Sequence, residues 1–227
     1  MDTLVQASRP SALSDWAYQI IRERILNLLY APGEQLQVEK LSEAMQVSRT
    51  PIREALLRLE QDGLVRSVAR VGFFVVEISE KDLEELFEVR ELLESYAASK
   101  ACRCMTESDL AELEKLIQRG TSCAERGDLD DYLDADGAFH GLLIARAQNE
   151  RLVTMLFSLH NLLHRQRKLS VRSPENVRGT NSEHRKVMDA LRAHDAELAG
   201  RRMGEHLHSV RDRMLRLLRS GWKDPEA

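Results

Sequence analysis

The chain has 227 residues, with 33 Lys and Arg against 37 Asp and Glu, a net charge of −4, 43% apolar residues and 5% aromatics. That length and apolar content build one large or two small domains with a real core, and the shortage of aromatics favours helices over a β-sandwich. No apolar run approaches the roughly 18 residues of a membrane span, and the mildly acidic balance rules out a broadly basic nucleic-acid coat, so any DNA contact must be a small focused patch.

The first ten residues, MDTLVQASRP, lack the basic-then-apolar order of a secretory signal, which places the protein in the cytoplasm. Cys102, Cys104 and Cys123 are an odd number for a disulfide framework and read as reduced thiols.

In chain order, residues 12 to 29 put Ala17, Ile20, Ile21, Ile25 and Leu28 on one helical face, and Pro32 and Gly33 stop that helix. A short helix follows over 38 to 46, carrying Leu41, Ala44 and Met45. After a tight turn through Gln46 and Val47, a third helix runs from about Ser48 to Asp62 and closes at Gly63. The runs LVRSV and FFVVEI, separated by ARVG, form a hairpin. Three helices with a tight turn before the third, followed by a hairpin, define a winged helix-turn-helix over residues 1–78.

The third helix opens with Arg49 and Arg53 one turn apart, on the same face of its N-terminal end. Against the helix macrodipole this costs a few tenths of a kcal/mol each, roughly. In a DNA major groove the same end bonds guanine edges or clamps phosphate. Ser48 and Thr50 add hydroxyls for phosphate, and Ile52, Ala55, Leu56 and Leu59 form the packing face. Arg70 and Gly72 at the hairpin tip are candidates for backbone or minor-groove contact, with a plain turn glycine as the competing reading. The stretch from "LQVEKLSEAMQVSRTPIREALLRLEQDGLV" to "RSVARVGFFVV" resembles the DNA-binding domain of the GntR superfamily of bacterial transcription regulators. The resemblance implies a homodimer on a palindromic double-stranded DNA operator, read by Arg49 and Arg53.

From residue 79 to 227 the pattern is helical, with helices near 80–104, 106–126, 128–147, 149–170, 180–193 and 195–219 and a loop over VRSPENVRGTN. The fold class is mainly α, a winged helix-turn-helix joined to an all-α six-helix bundle. Thr106, Asp128, Asn149 and Asp195 are the expected N-caps.

Polar residues fall on the buried stripes of this second domain. Arg90 lies between Leu83 and Leu93, and a buried guanidinium needs an anion. Asp136 and His140 share a face four apart, His184 leads Val187, Met188 and Leu191, and His206 sits among Met203, Leu207 and Val210. His184 and His206 are each 11 residues from the turn at Asp195, so an antiparallel hairpin puts them at one level, about 16 Å from the turn. Asp136, His140, His184 and His206 then form a site for a divalent transition metal such as zinc or nickel. His160 and His164, also four apart, could join it; His194 and His208 read as solvated.

The strings "DADGAFHGLLIARAQNERL", "EHRKVMDAL" and "HDAELAGRRMGEHL" resemble the all-helical effector domain of the FadR branch of that superfamily, the FCD type, in its shorter VanR-like six-helix form. The resemblance implies metal ligands at those same four positions, a role for Arg90 in holding a carboxylate effector, and repression more often than activation. The expected function is a transcription regulator responding to a small organic acid, with no enzymatic activity. The alternatives are a metal-dependent hydrolase, which lacks a further carboxylate placed as general base, and a metal sensor with no organic effector. Arg90 separates the acid-responsive regulator from the metal sensor unless a carboxylate such as Glu94 already pairs with it.

Overall fold

The computed structural model describes residues 12–77, 79–171 and 174–220. The chain divides between residues 78 and 79 into two compact units. The first contains α1 (Ala12–Leu26), β1 (Gln35–Leu36), α2 (Val38–Met45), α3 (Arg49–Gln61), β2 (Val65–Val68) and β3 (Gly72–Val75). Ile21 and Ile25 of α1 pack with Ile52, Leu56 and Leu59 of α3, and Leu36, Phe73 and Val75 close the core from the sheet. Each such aliphatic side chain stabilises the unit by roughly 1.5–3 kcal/mol when fully buried.

The turn between α2 and α3 is held by local chemistry. Gln46 takes the left-handed conformation at φ 55°, and the Ser42 hydroxyl donates to the Val47 carbonyl at 2.5 Å. At its other end α3 finishes in a Schellman arrangement, with Gly63 at φ 71°, its N–H on the Glu60 carbonyl and the Leu64 N–H on the Leu59 carbonyl. The hairpin pairs Val65 with Val75 and Val68 with Gly72. One strand was not legible in the sequence: β1 is two residues long and pairs antiparallel with β3, which makes β3 the central strand. A run that short has no periodicity to detect, and the burial of Leu36 under the sheet is what holds it.

The second unit contains α4 (Glu80–Cys102), α5 (Glu107–Arg126), α6 (Leu129–Arg146), α7 (Glu150–Ser158), α8 (His160–Ser170), α9 (Pro174–Arg192) and α10 (Ala196–Arg219). The four expected N-caps all accept from the backbone N–H three residues on: Thr106 from Asp109, Asp128 from Asp131, Asn149 from Leu152 and Asp195 from Leu198. Ser79 and Asp82 add a reciprocal capping box at the start of α4.

Two expectations for this unit are corrected. The single helix over 149–170 is two helices, because the ladder lapses at Leu159, whose N–H reaches back only to the Leu156 carbonyl. Six expected helices thus become seven helical segments among the described residues. The loop over VRSPENVRGTN is mostly helix, since α9 starts at Pro174. Proline tolerates a first helical turn, and tertiary contacts outweigh the turn-forming composition: Val177 and Thr180 are buried, and Arg213 donates to Asn176 Oδ1 at 2.5 Å. Gly179 makes room for that arginine, since a Cβ there would lie 2.8 Å from Arg213 Nη1.

α10 packs on α4 and α9, and α5 on α6 and α9. Close approach of α10 to α4 depends on Gly200, where a Cβ would stand 3.1 Å from the Ser95 carbonyl oxygen. This packing turns one face each of α6, α9 and α10 toward a common interior.

Candidate functional site

In that interior His140 of α6, His184 of α9 and His206 of α10 meet, each buried. Ring centroids stand 5.2 Å apart for His140 and His184, 5.3 Å for His140 and His206, and 4.7 Å for His184 and His206. One ring nitrogen of each lies within 4.8 Å of the other two. Two nitrogens bound to one tetrahedral ion at about 2.0–2.1 Å stand about 3.4 Å apart, so the triad must draw in by up to about 1.5 Å to share an ion.

The surroundings suit that task. His206 Nδ1 hydrogen-bonds Glu183 Oε2 at 2.9 Å, and Glu183 is gripped by both terminal nitrogens of Arg213 at 2.7 and 2.9 Å. His140 Nδ1 lies 2.6 Å from Glu94 Oε2, within charge-pairing reach but without hydrogen-bond alignment. Engaging Nδ1 leaves Nε2 for the interior, the arrangement by which outer carboxylates orient metal-binding imidazoles. His184 is packed flat on Phe139 at 4.0 Å, and its Nε2 is buried with no hydrogen-bond partner among the described residues. Such an orphan atom costs about 1–3 kcal/mol, and an ion would satisfy it.

Burial holds the His184 pKa well below its ordinary value, reinforced by His206 and His140. Burial also lowers His206, against the opposing pull of Glu183. Both rings are therefore neutral, the form that binds metal. For Glu94, burial raises the pKa, but Arg90 and His140 outweigh it and hold the carboxyl ionised. Glu183 is held down at about 2, because Arg213 and His206 outweigh its burial.

Asp136 stands at the edge of this cluster rather than inside it. Its Oδ1 is 3.8 Å from His184 Nε2, and its Oδ2 pairs with Arg167 Nε at 3.2 Å. The ion pair occupies Oδ2 and leaves Oδ1 on the His184 side. Arg90 is buried and donates from Nε to Glu94 Oε1 at 2.7 Å. Its burial is thus accounted for without an effector, so it does not separate an acid-responsive protein from a pure metal sensor. Of the rival histidines, His164 is outside the triad and the side chain of His160 lies outside the described residues.

Sequence reasoning missed Arg167 and Glu183. Arg167 is one of several basic residues in α8, and no spacing singles it out. Glu183 precedes His184 directly, but its link to His206 exists only across the α9–α10 interface. Replacing Glu183 with glutamine is expected to weaken metal affinity about 10- to 100-fold; competition with a chromophoric chelator measures it, and unchanged affinity removes Glu183 from the site.

In the first unit Ser48, Arg49, Thr50, Arg53 and Arg70 are exposed. Ser48 occupies the N-cap position of α3, yet its hydroxyl makes no capping bond. Arg49 reaches Glu39 at 3.3 Å across the solvent-exposed surface. Arg58 is structural: it donates to Asp15 at 2.5 Å and covers the Tyr18 ring. Gly72 has φ 134°, and a Cβ there would lie 3.3 Å from Gln35 Nε2, so the hairpin itself calls for glycine.

A winged-helix reader followed in the chain by a helical domain with a buried polar centre is the layout of a transcription regulator. The family described as "Bacterial regulatory proteins, gntR family" matches residues 13–75, and the "FCD domain" matches residues 85–209. The protein belongs to the GntR family of bacterial transcription regulators, with a DNA-binding domain and an FCD effector domain; it is not an enzyme. It is 29% identical to the Escherichia coli HTH-type transcriptional repressor RspR over 231 residues, covering 100% of this chain and 99% of the relative. It is 32% identical to the Bacillus subtilis regulator LutR, covering 80% and 91%. The fold matches E. coli McbR/YncC at a TM-score of 0.72 and 23% identity, over 91% of this chain and 99% of the other. No helix among the described residues is long and apolar enough to cross a membrane.

Proposed function

We propose that the protein is a cytoplasmic, homodimeric repressor of a palindromic operator, with residues 1–78 as reader and 79–227 as the sensing and dimerisation domain. The ion is divalent, zinc or nickel, held by His140, His184 and His206 with Asp136 as fourth ligand. The observation that carries this reading is the convergence of three buried imidazoles, one with an orphaned nitrogen and two backed by carboxylates.

Charge supports an acidic effector. Around the imidazole cluster, Arg90, Arg167 and Arg213 balance Glu94, Asp136 and Glu183. A divalent ion leaves this buried centre with two uncompensated positive charges, which an anion relieves. The ion would supply a Lewis-acid anchor for a carboxylate. The chain supplies the rest: Arg167 and Arg90 hold positive charge beside the cluster, and Tyr132 stays a neutral hydroxyl because burial and Asp136 raise its pKa. In the reader, Arg49 and Arg53 contact bases or phosphates, Ser48 and Thr50 contact phosphate, and Arg70 with Gly72 approaches the adjacent groove. The acid releases DNA by binding more tightly to the arrangement that cannot hold both half-sites.

The test is selection of duplexes from random DNA with the zinc-loaded protein, then fluorescence anisotropy of a selected duplex with small carboxylates added. An inverted repeat whose binding weakens with acid supports the reading. Selection without two-fold symmetry, or affinity indifferent to every acid, overturns it.

A further inference from the structure

The space beside His140 and His206 that is bordered by Tyr132 and Thr180 measures about 20 Å³, room for a water molecule and not for an acid. On the other side of His140 and Arg167 runs an open groove of about 230 Å³. Its inner end carries Glu94, His140 and Arg167, and its outer part is apolar, with Ile144, Leu156 and Phe157. Glu94 Oε2 and His140 Nδ1 lie buried there 2.6 Å from each other, on side chains 3% and 2% exposed.

The floor of the groove is α6 at Gly137 and Gly141. A glycine inside a helix costs about 1 kcal/mol relative to alanine, so two in successive turns need a reason. At Gly137 a Cβ would lie 3.4 Å from Arg167 Nη1, so glycine lets the guanidinium rest on the helix. Among the described residues a Cβ at Gly141 would meet nothing within 4 Å. Their packing does not require that glycine; what it leaves is space, one residue from a metal-site histidine.

We propose that this groove receives the apolar body of the effector, an organic acid of about six carbons whose carboxylate reaches Arg167 and the histidine cluster. This rests on the acid-responsive reading above and narrows it from any small carboxylate to one with a hydrocarbon tail. A cavity of about 150 Å³ lined by aliphatic side chains takes benzene, so the groove has room for a chain the length of hexanoate. Phe157 is 73% exposed and Val153 40%, apolar surface that such a tail would cover. A second copy of the chain could also cover these side chains. Its apolar residues would bring no negative charge toward Arg167 and the metal-loaded histidine cluster at the inner end, which a carboxylate does.

Hexanoate and gluconate share six carbons and one carboxylate and differ in the tail, so they form the probe pair, with acetate as the tail-less reference. Isothermal titration into the zinc-loaded full chain is expected to give hexanoate about 10- to 100-fold tighter binding than acetate, since each buried methylene contributes roughly fourfold. Gluconate is expected to bind no better than acetate. Gly141→Leu should remove the hexanoate advantage while acetate affinity and zinc content stay as in the parent; Gly141→Ala, whose methyl enters open space, should retain it. Equal binding of hexanoate and gluconate, or a hexanoate advantage that survives Gly141→Leu, overturns the groove assignment. If Gly141→Leu changes sedimentation of the chain and leaves hexanoate binding intact, the groove is a subunit contact and the proposal fails. Acetate binding without a hexanoate advantage sinks the groove alone, whereas no binding of any of the three acids sinks the acid-responsive reading with it.

Discussion

His184→Ala is expected to lose the bound ion and, with it, nearly all of the thermal stabilisation that zinc gives the parent protein. An ion at a thousand times its dissociation constant stabilises the folded state by about 4 kcal/mol. At about 2–4 °C per kcal/mol for a domain of this size, that is a rise in Tm on the order of 10 °C. The absolute Tm of the variant is the wrong comparison, because two other effects act on it. Removing the ring forfeits its stack on Phe139, while deleting the orphaned Nε2 relieves a buried unsatisfied atom. The difference between chelated and zinc-loaded samples isolates the ion. Scanning calorimetry on both forms, with metal content by plasma spectrometry, reads it directly. A variant that retains stoichiometric zinc and the same metal-dependent rise would show that the triad is not the site.

The second large effect is on DNA. Arg49→Ala and Arg53→Ala should each lower affinity for a selected duplex by about 1–3 kcal/mol per half-site if the guanidinium reads a base edge, roughly 5- to 150-fold. Folding stability should hardly move. Among the described residues Arg49 pairs with Glu39, and both side chains are more than half exposed, a setting in which ion pairs contribute about 0–1 kcal/mol. The salt dependence separates base contact from phosphate contact. Loss of a phosphate contact reduces the slope of log affinity against log salt by about 0.9, whereas loss of a base contact relaxes preference at one position and leaves the slope alone. Anisotropy titrations at several salt concentrations distinguish the two. Parent-like affinity in both variants would take the start of α3 out of the interface.

The DNA-reading unit was nearly complete in the sequence because its determinants are local. The apolar spacing of α1 and α3, the left-handed turn at Gln46, the glycine stop at Gly63 and the hairpin all depend on residues a few positions apart. Two features escaped: α1 stops at Leu26, short of its expected end at 29, with Leu28 left-handed at φ 59°, and β1 is two residues long and held by a partner strand nearly forty residues away. In the second unit the four N-caps were equally legible. The α9 start was not, because Pro174, Asn176 and Gly179 have turn-forming propensities that Arg213 overrides from another helix.

The same division applies to the sensing site. Polar residues on apolar stripes, together with equal distances from the turn at Asp195, mark His140, His184 and His206 as inward-facing from the sequence alone, since helical periodicity and rise are fixed by the backbone. Which charges answer one another is a matter of position across helices, and no period encodes it. The structure decided that Glu94 answers Arg90, that Arg167 pairs with Asp136, that Glu183 backs His206, and that open space borders Gly141 among the described residues. Coulombic pairing and free volume depend on distances between α4, α6, α8, α9 and α10, and only packing sets those.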